Sequence, residues 1–218
     1  MHRHIRTQFP KRDQWRRLPH DSPRGLYFGV LRAAVTEYYL ADPLNPYQQS
    51  GRSSGAQRWE ETRRCFVQAL HRSGDFLDVG CAKGFLLHEF TRAVPGIEVA
   101  GLDISGYAIE NAKEEVKPFL RVGNAVELPY PDKSFDLVVS INTLHNLRIY
   151  DLAKALRETE RVSRSHKYLV VDGYRTEEEK ANLMYWQITC ESFFTPQEWE
   201  WVFQQTGYTG DYACIYYE

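Results

Sequence analysis

From residue 75 onward the chain alternates between short apolar runs and segments whose apolar residues recur every three to four positions. The runs have the length of β-strands and lie at residues 76–79, 97–102, 119–122, 135–141 and 168–171. The segments between them have helical spacing and lie at residues 84–93, 105–118 and 152–162. This alternation is typical of βαβ units, which form a parallel sheet with helices on both faces. We therefore predict an α/β fold with a doubly wound, mostly parallel sheet of six or seven strands.

The last third of the chain carries two helix-start signals. Thr176 is followed three residues later by Glu179, and Thr195 is followed by Pro196 and Glu198. Both patterns are capping boxes, and proline is favoured at the first helical position. We expect the second helix to end at Gly207. The aromatic stretch after it fits either one strand or a tight hairpin.

The chain ahead of the alternating region has a different character. Residues 41–57 are rich in proline, glycine and serine, which predicts a loop between a helical piece at about 26–40 and a helix at 58–72. We expect residues 1–57 to form a basic N-terminal extension, with its helical piece and loop as a candidate lid, and residues 58–218 to form the main domain. Residues 1–24 carry seven lysines and arginines against two aspartates, which fits a solvated extension or a contact with an anionic partner.

Composition narrows the class of protein. The chain has 218 residues and a formal net charge of −2, so a globally basic nucleic-acid binder is not expected. It contains no apolar run of membrane-spanning length. Its four cysteines are far apart and form no Cys-x-x-Cys pair, which predicts neither a metal site nor a disulfide framework. A reducing, cytoplasmic location fits this cysteine usage.

The most informative segment joins the first strand to the first helix. Asp78 is followed by Gly80, Ala82 and Gly84, a turn of small residues that lets the backbone approach a ligand closely. Such a turn brings the ligand to the carboxyl ends of the strands in a doubly wound sheet. A tight strand-to-helix connection without a ligand is the alternative interpretation. A dinucleotide-binding turn is disfavoured because alanine stands at position 82 and phenylalanine at position 85, where its glycine pattern is interrupted.

Two further strands end in polar residues that suit a nucleoside. Asp103 ends the second strand 25 residues after Asp78, where a carboxylate can accept hydrogen bonds from ribose hydroxyls. Asn124 follows the third strand, and its amide oxygen can accept from an adenine amino group. The ordered set of turn, acid and amide is more specific than any one of these residues.

With these residues in place, the chain resembles the class I S-adenosylmethionine-dependent methyltransferases, in the branch that includes quinone-type and small-molecule enzymes. The resemblance covers residues 58–218 and implies a Rossmann-like fold with S-adenosyl-L-methionine as cofactor. Asn124 stands where the family usually has aspartate. The cofactor-binding residues that the resemblance implies are Asp78, Gly80, Cys81, Ala82, Gly84, Asp103, Ile104, Asn124, Ala125 and Ser140.

The acceptor side of the expected site lies after the fourth and fifth strands. His145 is a candidate general base, because histidine titrates near neutral pH, and Asn142 and Asp172 are candidates for orienting an acceptor. A backbone-bonded or helix-capping role for His145 and a turn role for Asp172 stay open. We predict methyl transfer to an oxygen, nitrogen or carbon atom of a small molecule, with no nucleic-acid partner. A catalytically silent cofactor-binding module and, less favoured, an RNA methyltransferase are the alternatives.

Overall fold

The computed structural model describes residues 74–217, and the helices expected at 26–40 and 58–72 lie outside them. The strands are β1 (Asp75–Val79), β2 (Glu98–Asp103), β3 (Leu120–Val122), β4 (Phe135–Ile141), β5 (Ser163–Asp172) and β6 (Asp211–Ile215). The α-helices are α1 (Phe85–Ala93), α2 (Gly106–Glu110), α3 (Ile149–Val162), α4 (Glu177–Trp186) and α5 (Pro196–Thr206). Two short 3-10 helices span Lys117–Phe119 and Leu144–Asn146.

The six strands form one sheet in the order β3-β2-β1-β4-β5-β6. Every neighbouring pair is parallel, which confirms the predicted doubly wound α/β fold. The aromatic stretch at the end of the chain supplies one strand, β6, rather than a hairpin. The chain reverses its direction of travel across the sheet between β1 and β4, and ligands of such folds bind at this switch point.

Each face of the sheet is covered by its own apolar core. Phe76 and Leu77 are consecutive residues of β1 and point to opposite faces, as the pleat of a strand requires. Phe76 stacks on Phe90 of α1, with ring centroids 4.3 Å apart. On the other face Leu77 belongs to a cluster that contains Leu156 of α3 and the fully buried Trp199 of α5. The short apolar runs of the sequence are therefore strands buried on both faces.

One predicted helix is wrong in its length. The helix expected from Ser105 to Pro118 ends at Glu110, although Ser105 caps it by accepting a hydrogen bond from the Ala108 amide at 3.1 Å. The backbone and side-chain amides of Asn111 both donate to the Tyr107 carbonyl, at 3.1 and 2.8 Å, and the next amide, of Ala112, donates to Ile109, only three residues earlier, so the α-helical ladder stops. Pro118 lies inside the 3-10 helix instead of ending an α-helix. The apolar spacing after residue 110 thus reflects burial in turns.

The two predicted caps in the last third are present. Thr176 accepts from the Glu179 amide, and Thr195 with Glu198 forms a complete capping box. Gly207 ends α5 in the left-handed conformation, with φ of 73°. Within residues 74–217, no helix is long and apolar enough to cross a membrane.

Candidate functional site

A cavity of about 570 Å³ opens at the carboxyl ends of β1, β2, β3 and β4. This volume lies in the range of small-molecule and cofactor sites. The cavity is bounded by the turn after β1, the end of β2, the start of the loop after β3 and the segment after β4. It therefore occupies the switch point of the sheet.

The turn after β1 passes unusually close to the segment after β4. Gly80 has φ of 86°, and a Cβ atom built there would lie 2.0 Å from Oγ1 of Thr143, so only glycine fits. The amides of Gly80 and Cys81 donate to the Leu102 carbonyl at 2.7 and 3.1 Å. The turn is thus bonded to β2 through Leu102, and at Gly80 it contacts Thr143 in the segment after β4.

Asp103 joins two segments of backbone at the cavity wall. Its Oδ2 atom accepts from the Ala82 amide at 2.8 Å, and its Oδ1 atom accepts from the Ser105 amide at 2.8 Å. Each carboxylate oxygen can accept a second hydrogen bond, so the group keeps acceptor capacity for a ligand. The backbone bonds orient the carboxylate at the end of β2.

Asp78 adds a second acid to the same wall. Its side chain is 3% exposed. Burial first, and the neighbouring negative charge of Asp103 second, raise the pKa of Asp78 from 3.8 to about 7. Among the described residues, those that line the cavity include no lysine, arginine or histidine. The electrostatics of the cavity therefore favour a cationic ligand over a phosphate.

Two amide side chains face the cavity from the neighbouring loops. Asn124 follows β3, and its Oδ1 atom accepts from the Val126 amide at 3.1 Å. Asn142 follows β4 in a left-handed conformation, with φ of 52°. Its Oδ1 atom is buried and has no hydrogen-bond partner within residues 74–217. A buried acceptor without a partner costs free energy.

His145 and Asp172 form a buried pair beside this cavity and do not line it. They are 1% and 0% exposed, and Nε2 of His145 lies 3.3 Å from Oδ2 of Asp172. The backbone amide of Asp172 also approaches Nδ1 of His145, at 3.2 Å. Tyr217 places its hydroxyl 3.4 Å from the same Asp172 oxygen.

The geometry of this pair fixes the protonation of the imidazole. A backbone amide can only donate, so Nδ1 must accept, and the neutral ring carries its proton on Nε2, directed at Asp172. Burial lowers the pKa of His145 to about 4 and raises the pKa of Asp172 to about 7. One ring nitrogen accepts a hydrogen bond and the other carries a proton, so His145 has no free lone pair that could take a proton from a bound substrate. This arrangement corresponds to the backbone-bonded role of His145 that the sequence analysis left open as an alternative to a general base.

Comparison with known proteins agrees with the geometry. A family profile described as "Methyltransferase domain" matches residues 77–171. A demethylmenaquinone methyltransferase from Symbiobacterium thermophilum is 34% identical over 154 residues, which are 66% of this chain and 57% of that protein. Residues 77–171 therefore match the family of methyltransferase domains that this profile describes.

Other relatives of this methyltransferase domain match shorter shares of their own length. The ajmaline N-methyltransferase of Rauvolfia serpentina is 34% identical over 105 residues, covering 44% of this chain and 35% of that protein. The match thus spans between 35% and 57% of the length of the curated relatives it matches first. Two solved structures share the fold. The PH0226 protein of Pyrococcus horikoshii has a TM-score of 0.54 at 22% identity, covering 78% of this chain and 88% of that one. The YcgJ protein of Bacillus subtilis has a TM-score of 0.51 at 20% identity, covering 67% and 68%.

The structure of the methyltransferase domain separates the predicted site residues into three groups. Gly84 and Ser140 stay outside the cavity lining: Gly84 packs against Val116, and Ser140 donates to the Val79 carbonyl at 2.7 Å beneath the cavity floor. His145 and Asp172 form the buried pair. The predicted residues that line the cavity are Asp78, Gly80, Cys81, Ala82, Asp103, Ile104, Asn124, Ala125 and Asn142.

The sequence did not single out several other lining residues. Thr143, Asn146 and Leu147 lie in or beside the 3-10 helix after β4, which is too short to leave a periodic pattern. Leu86 and Leu102 read as core positions and serve as both core and cavity wall. The contact of Gly80 with Thr143 links positions 63 residues apart, and no local signal indicates it.

The opposed pKa shifts of the buried pair predict how single substitutions change the pH dependence of stability. Between about pH 4 and 6.5 the folded pair holds one proton, on Asp172, and the unfolded pair also holds one, on His145, so the pair gives wild type almost no slope. In His145→Gln only Asp172 still titrates, with its raised pKa, so the free energy of unfolding should fall as pH rises through this range. In Asp172→Asn only His145 still titrates, with its lowered pKa, so the free energy of unfolding should rise with pH.

Urea denaturation at several pH values between 4.5 and 6.5 measures these slopes relative to wild type. The double variant His145→Gln/Asp172→Asn is the control and should return to the wild-type slope. Parallel curves for the two single variants would show that the two groups do not share one proton in the folded protein.

Proposed function

We propose that the protein is an S-adenosylmethionine-dependent methyltransferase that acts on a small molecule and binds its cofactor in the cavity at the switch point. The observation that carries this proposal is the pair of acids in the cavity wall, Asp78 and Asp103, beside the glycine turn. A positively charged sulfonium and ammonium suit such a wall. A pyrophosphate does not, because two carboxylates would repel it.

The individual contacts follow from the position of each group. Asp103 ends β2 with acceptor capacity left on both oxygens, and we assign it the two ribose hydroxyls. Asn124 and Ala125 at the end of β3 are assigned to the adenine, with Ile104 along its face. The turn at Gly80, Cys81 and Ala82 is assigned to the methionyl part. Gly84 and Ser140 support this wall from behind by fixing α1 and the end of β1.

The reaction requires alignment more than acid–base chemistry. The cofactor supplies a methyl group that is already activated on a sulfonium sulfur. The protein's own part is to hold the acceptor in line and to exclude water. Asn142 lines the cavity and is assigned the first task; its unpartnered Oδ1 atom is buried, so it can accept from an acceptor hydroxyl or amine only after the side-chain amide turns toward the cavity. Ile141 and Leu147 give the same wall an apolar surface for the second task.

The predicted roles of His145 and Asp172 in catalysis stay predictions. In the described arrangement both nitrogens of His145 are engaged inside the protein, so proton abstraction would require this pair to rearrange. An acceptor that arrives deprotonated, or that loses its proton to water, needs no such base. We therefore place the pair behind the acceptor wall, where it fixes the path of the chain after β4.

The relatives support a small-molecule acceptor without naming it. Their printed names include a demethylmenaquinone methyltransferase, an ajmaline N-methyltransferase and a 27-O-demethylrifamycin SV methyltransferase. A tRNA methyltransferase of Arabidopsis thaliana is also among them, at 27% identity over 144 residues. The lack of basic side chains in the described cavity lining favours the small molecule. We keep residues 58–218 as the proposed extent of the domain and residues 1–57 as a proposed extension.

Turnover distinguishes an enzyme from a silent binding module. The full-length protein should release S-adenosylhomocysteine when incubated with the cofactor and a panel of small hydroxyl, amine and quinol compounds. Binding of the cofactor without release on any compound or extract would favour the silent module. Release only with added tRNA would favour the RNA alternative.

Removal of the Asp103 carboxylate should weaken cofactor binding. Each charge-assisted hydrogen bond is worth about 1.5–3 kcal/mol, so Asp103→Ala should raise the Kd for S-adenosylhomocysteine at least about tenfold. Asp136→Ala is the matched control, because Asp136 lies at the start of β4 and accepts from the Asp75 amide, away from the cavity. Calorimetric titration measures both. Equal affinities in wild type and Asp103→Ala would remove Asp103 from the cofactor site.

Cofactor binding should also depend on the charge of Asp78. The pKa of this group is about 7 in the empty site, and a bound cation would lower it, so binding should release a proton. Affinity for S-adenosylmethionine should therefore rise between about pH 5.5 and 7, by up to about tenfold per pH unit, a range in which the cofactor's own amine stays protonated. Titrations in buffers of different ionisation enthalpy count the released protons. Asp78→Asn should abolish the slope, and a slope that persists would assign the proton to another group.

A further inference from the structure

The loop between β3 and β4, residues 123–134, connects two separate parts of the structure. At its start, Asn124 and Ala125 line the cavity. Further along, the loop lies against α3 on one face of the sheet. It contains no helix or strand, so no ladder of backbone hydrogen bonds sets its path. Its position must come from other contacts.

Two charged residues one turn apart on α3 bind the backbone of this loop. Oε2 of Glu158 accepts from the Leu128 amide at 2.7 Å, and Nη2 of Arg161 donates to the Leu128 carbonyl at 3.0 Å. Nη1 of Arg161 donates to the Tyr130 carbonyl at 2.8 Å. Both backbone polar groups of Leu128 are therefore satisfied by one pair of side chains.

Glu158 and Arg161 are held together by two charge-assisted hydrogen bonds. Nε and Nη2 of Arg161 each lie 2.7 Å from one carboxylate oxygen of Glu158, a bidentate arrangement. Hydrogen bonds from Arg161 lower the pKa of Glu158, so both groups are charged at neutral pH. Arg161 also donates to Asp132 at 2.8 Å, and its own carbonyl accepts from the Lys133 amide at 2.9 Å. The pair thus holds the loop at four residues.

The cavity end of the loop is attached to β2 at its first residue, where the Gly123 amide donates to the Asp103 carbonyl at 2.8 Å. Asn124 itself bonds only within the loop, to the amides of Val126 and Glu127. Leu128 is 3% exposed and packs in the core that contains α3. The segment that carries Asn124 and Ala125 is therefore held at both ends, by Asp103 at Gly123 and by α3 at Leu128.

We propose that Glu158 and Arg161 are positioning residues for the cofactor: they hold the β3–β4 loop so that Asn124 and Ala125 meet the adenine. The inference rests on the proposed function, since it assumes that the adenine lies beside Asn124. Neither side chain lines the cavity, so both act through the backbone of the loop. The expected consequence is selectivity for a base that carries an amino group at the position that faces Asn124.

The test compares two ligands that differ only at the base. S-adenosylhomocysteine carries the adenine amino group, and S-inosylhomocysteine carries an oxygen there. Wild type should prefer the first, because the amino group donates to Asn124. Arg161→Gln should raise the Kd for S-adenosylhomocysteine about tenfold and bring the ratio of the two Kd values toward one, because a loose loop must be ordered on binding. Calorimetric titration measures both constants.

Arg164→Gln is the matched control. Arg164 donates to Asp136 at 2.5 Å and to the Ser134 carbonyl at 3.2 Å, contacts like those of Arg161 but at the amino end of β4. This variant should keep both Kd values and their ratio. Hydrogen exchange without ligand gives a second measurement, in which Arg161→Gln should speed exchange at the amides of Leu128 and Lys133 and leave the strand amides of β4 unchanged.

Each outcome decides the proposal. Unchanged constants in Arg161→Gln, or an equal loss for both ligands at a constant ratio, would assign Arg161 to stability alone and overturn the positioning role. Where Arg161→Gln does not fold, Glu158→Gln is the second variant, because it keeps the shape of the side chain. It should also bring the ratio of the two Kd values toward one. Absence of binding by wild type would overturn the proposed function and this role together, whereas binding by wild type with an unchanged variant overturns only the role.

Discussion

The carboxylate of Asp103 is the group on which the cavity depends most directly. It accepts from the amides of Ala82 and Ser105 and so joins the turn after β1 to the start of α2. The two segments come from different βα units, and these bonds extend the attachment that the amides of Gly80 and Cys81 make to the Leu102 carbonyl. Burial is the main reason that the pKa of Asp78 is raised, and the charge of the Asp103 carboxylate raises it further, so Asp103 contributes to both the geometry and the electrostatics of the cavity. A ligand that bonds to Asp103 therefore meets a group that the backbone has already oriented.

The charged and polar groups of the interior fall into two chemically different sets. Asp78 and Asp103 are acids beside one another with no basic side chain in the described cavity lining, which leaves their charge to be balanced by a ligand. His145 and Asp172 are both uncharged between about pH 4 and 7, bond to each other and do not line the cavity. Charged groups without a counter-charge are expected where a ligand binds, whereas a buried, hydrogen-bonded pair is expected in a supporting position. This difference is why we place the cofactor against the first set and a supporting role on the second.

The sequence predicted the parts of the fold that arise from local physics. Buried parallel strands leave continuous apolar runs, as at 135–141, and capping chemistry is local, as at Thr195 and Glu198. The predicted extent of α2 was wrong because burial in turns produces the same spacing as a helix, and the change to a three-residue bond at Ala112 leaves no trace in a periodic pattern. The interior placement of His145 depends on the Asp172 amide, 27 residues away. The roles of Glu158 and Arg161 required their distance to Leu128, since a Glu-x-x-Arg spacing alone reads as an ordinary surface pair on a helix.

The strand order has a consequence for the way the cavity arises during synthesis. Residues 75–125 provide β1 to β3 and the acidic wall, but β1 stays unpaired on one side until β4 has been made, since Phe76 aligns with Leu137 in the finished sheet. The opposite wall begins at Ile141 and ends at Leu147. A nascent chain therefore exposes one edge of its central strand over the time needed to add some sixty residues, and such edges invite pairing with other chains. No ligand can bridge the two walls during that time, so stabilisation by a ligand begins only after the second wall has left the ribosome.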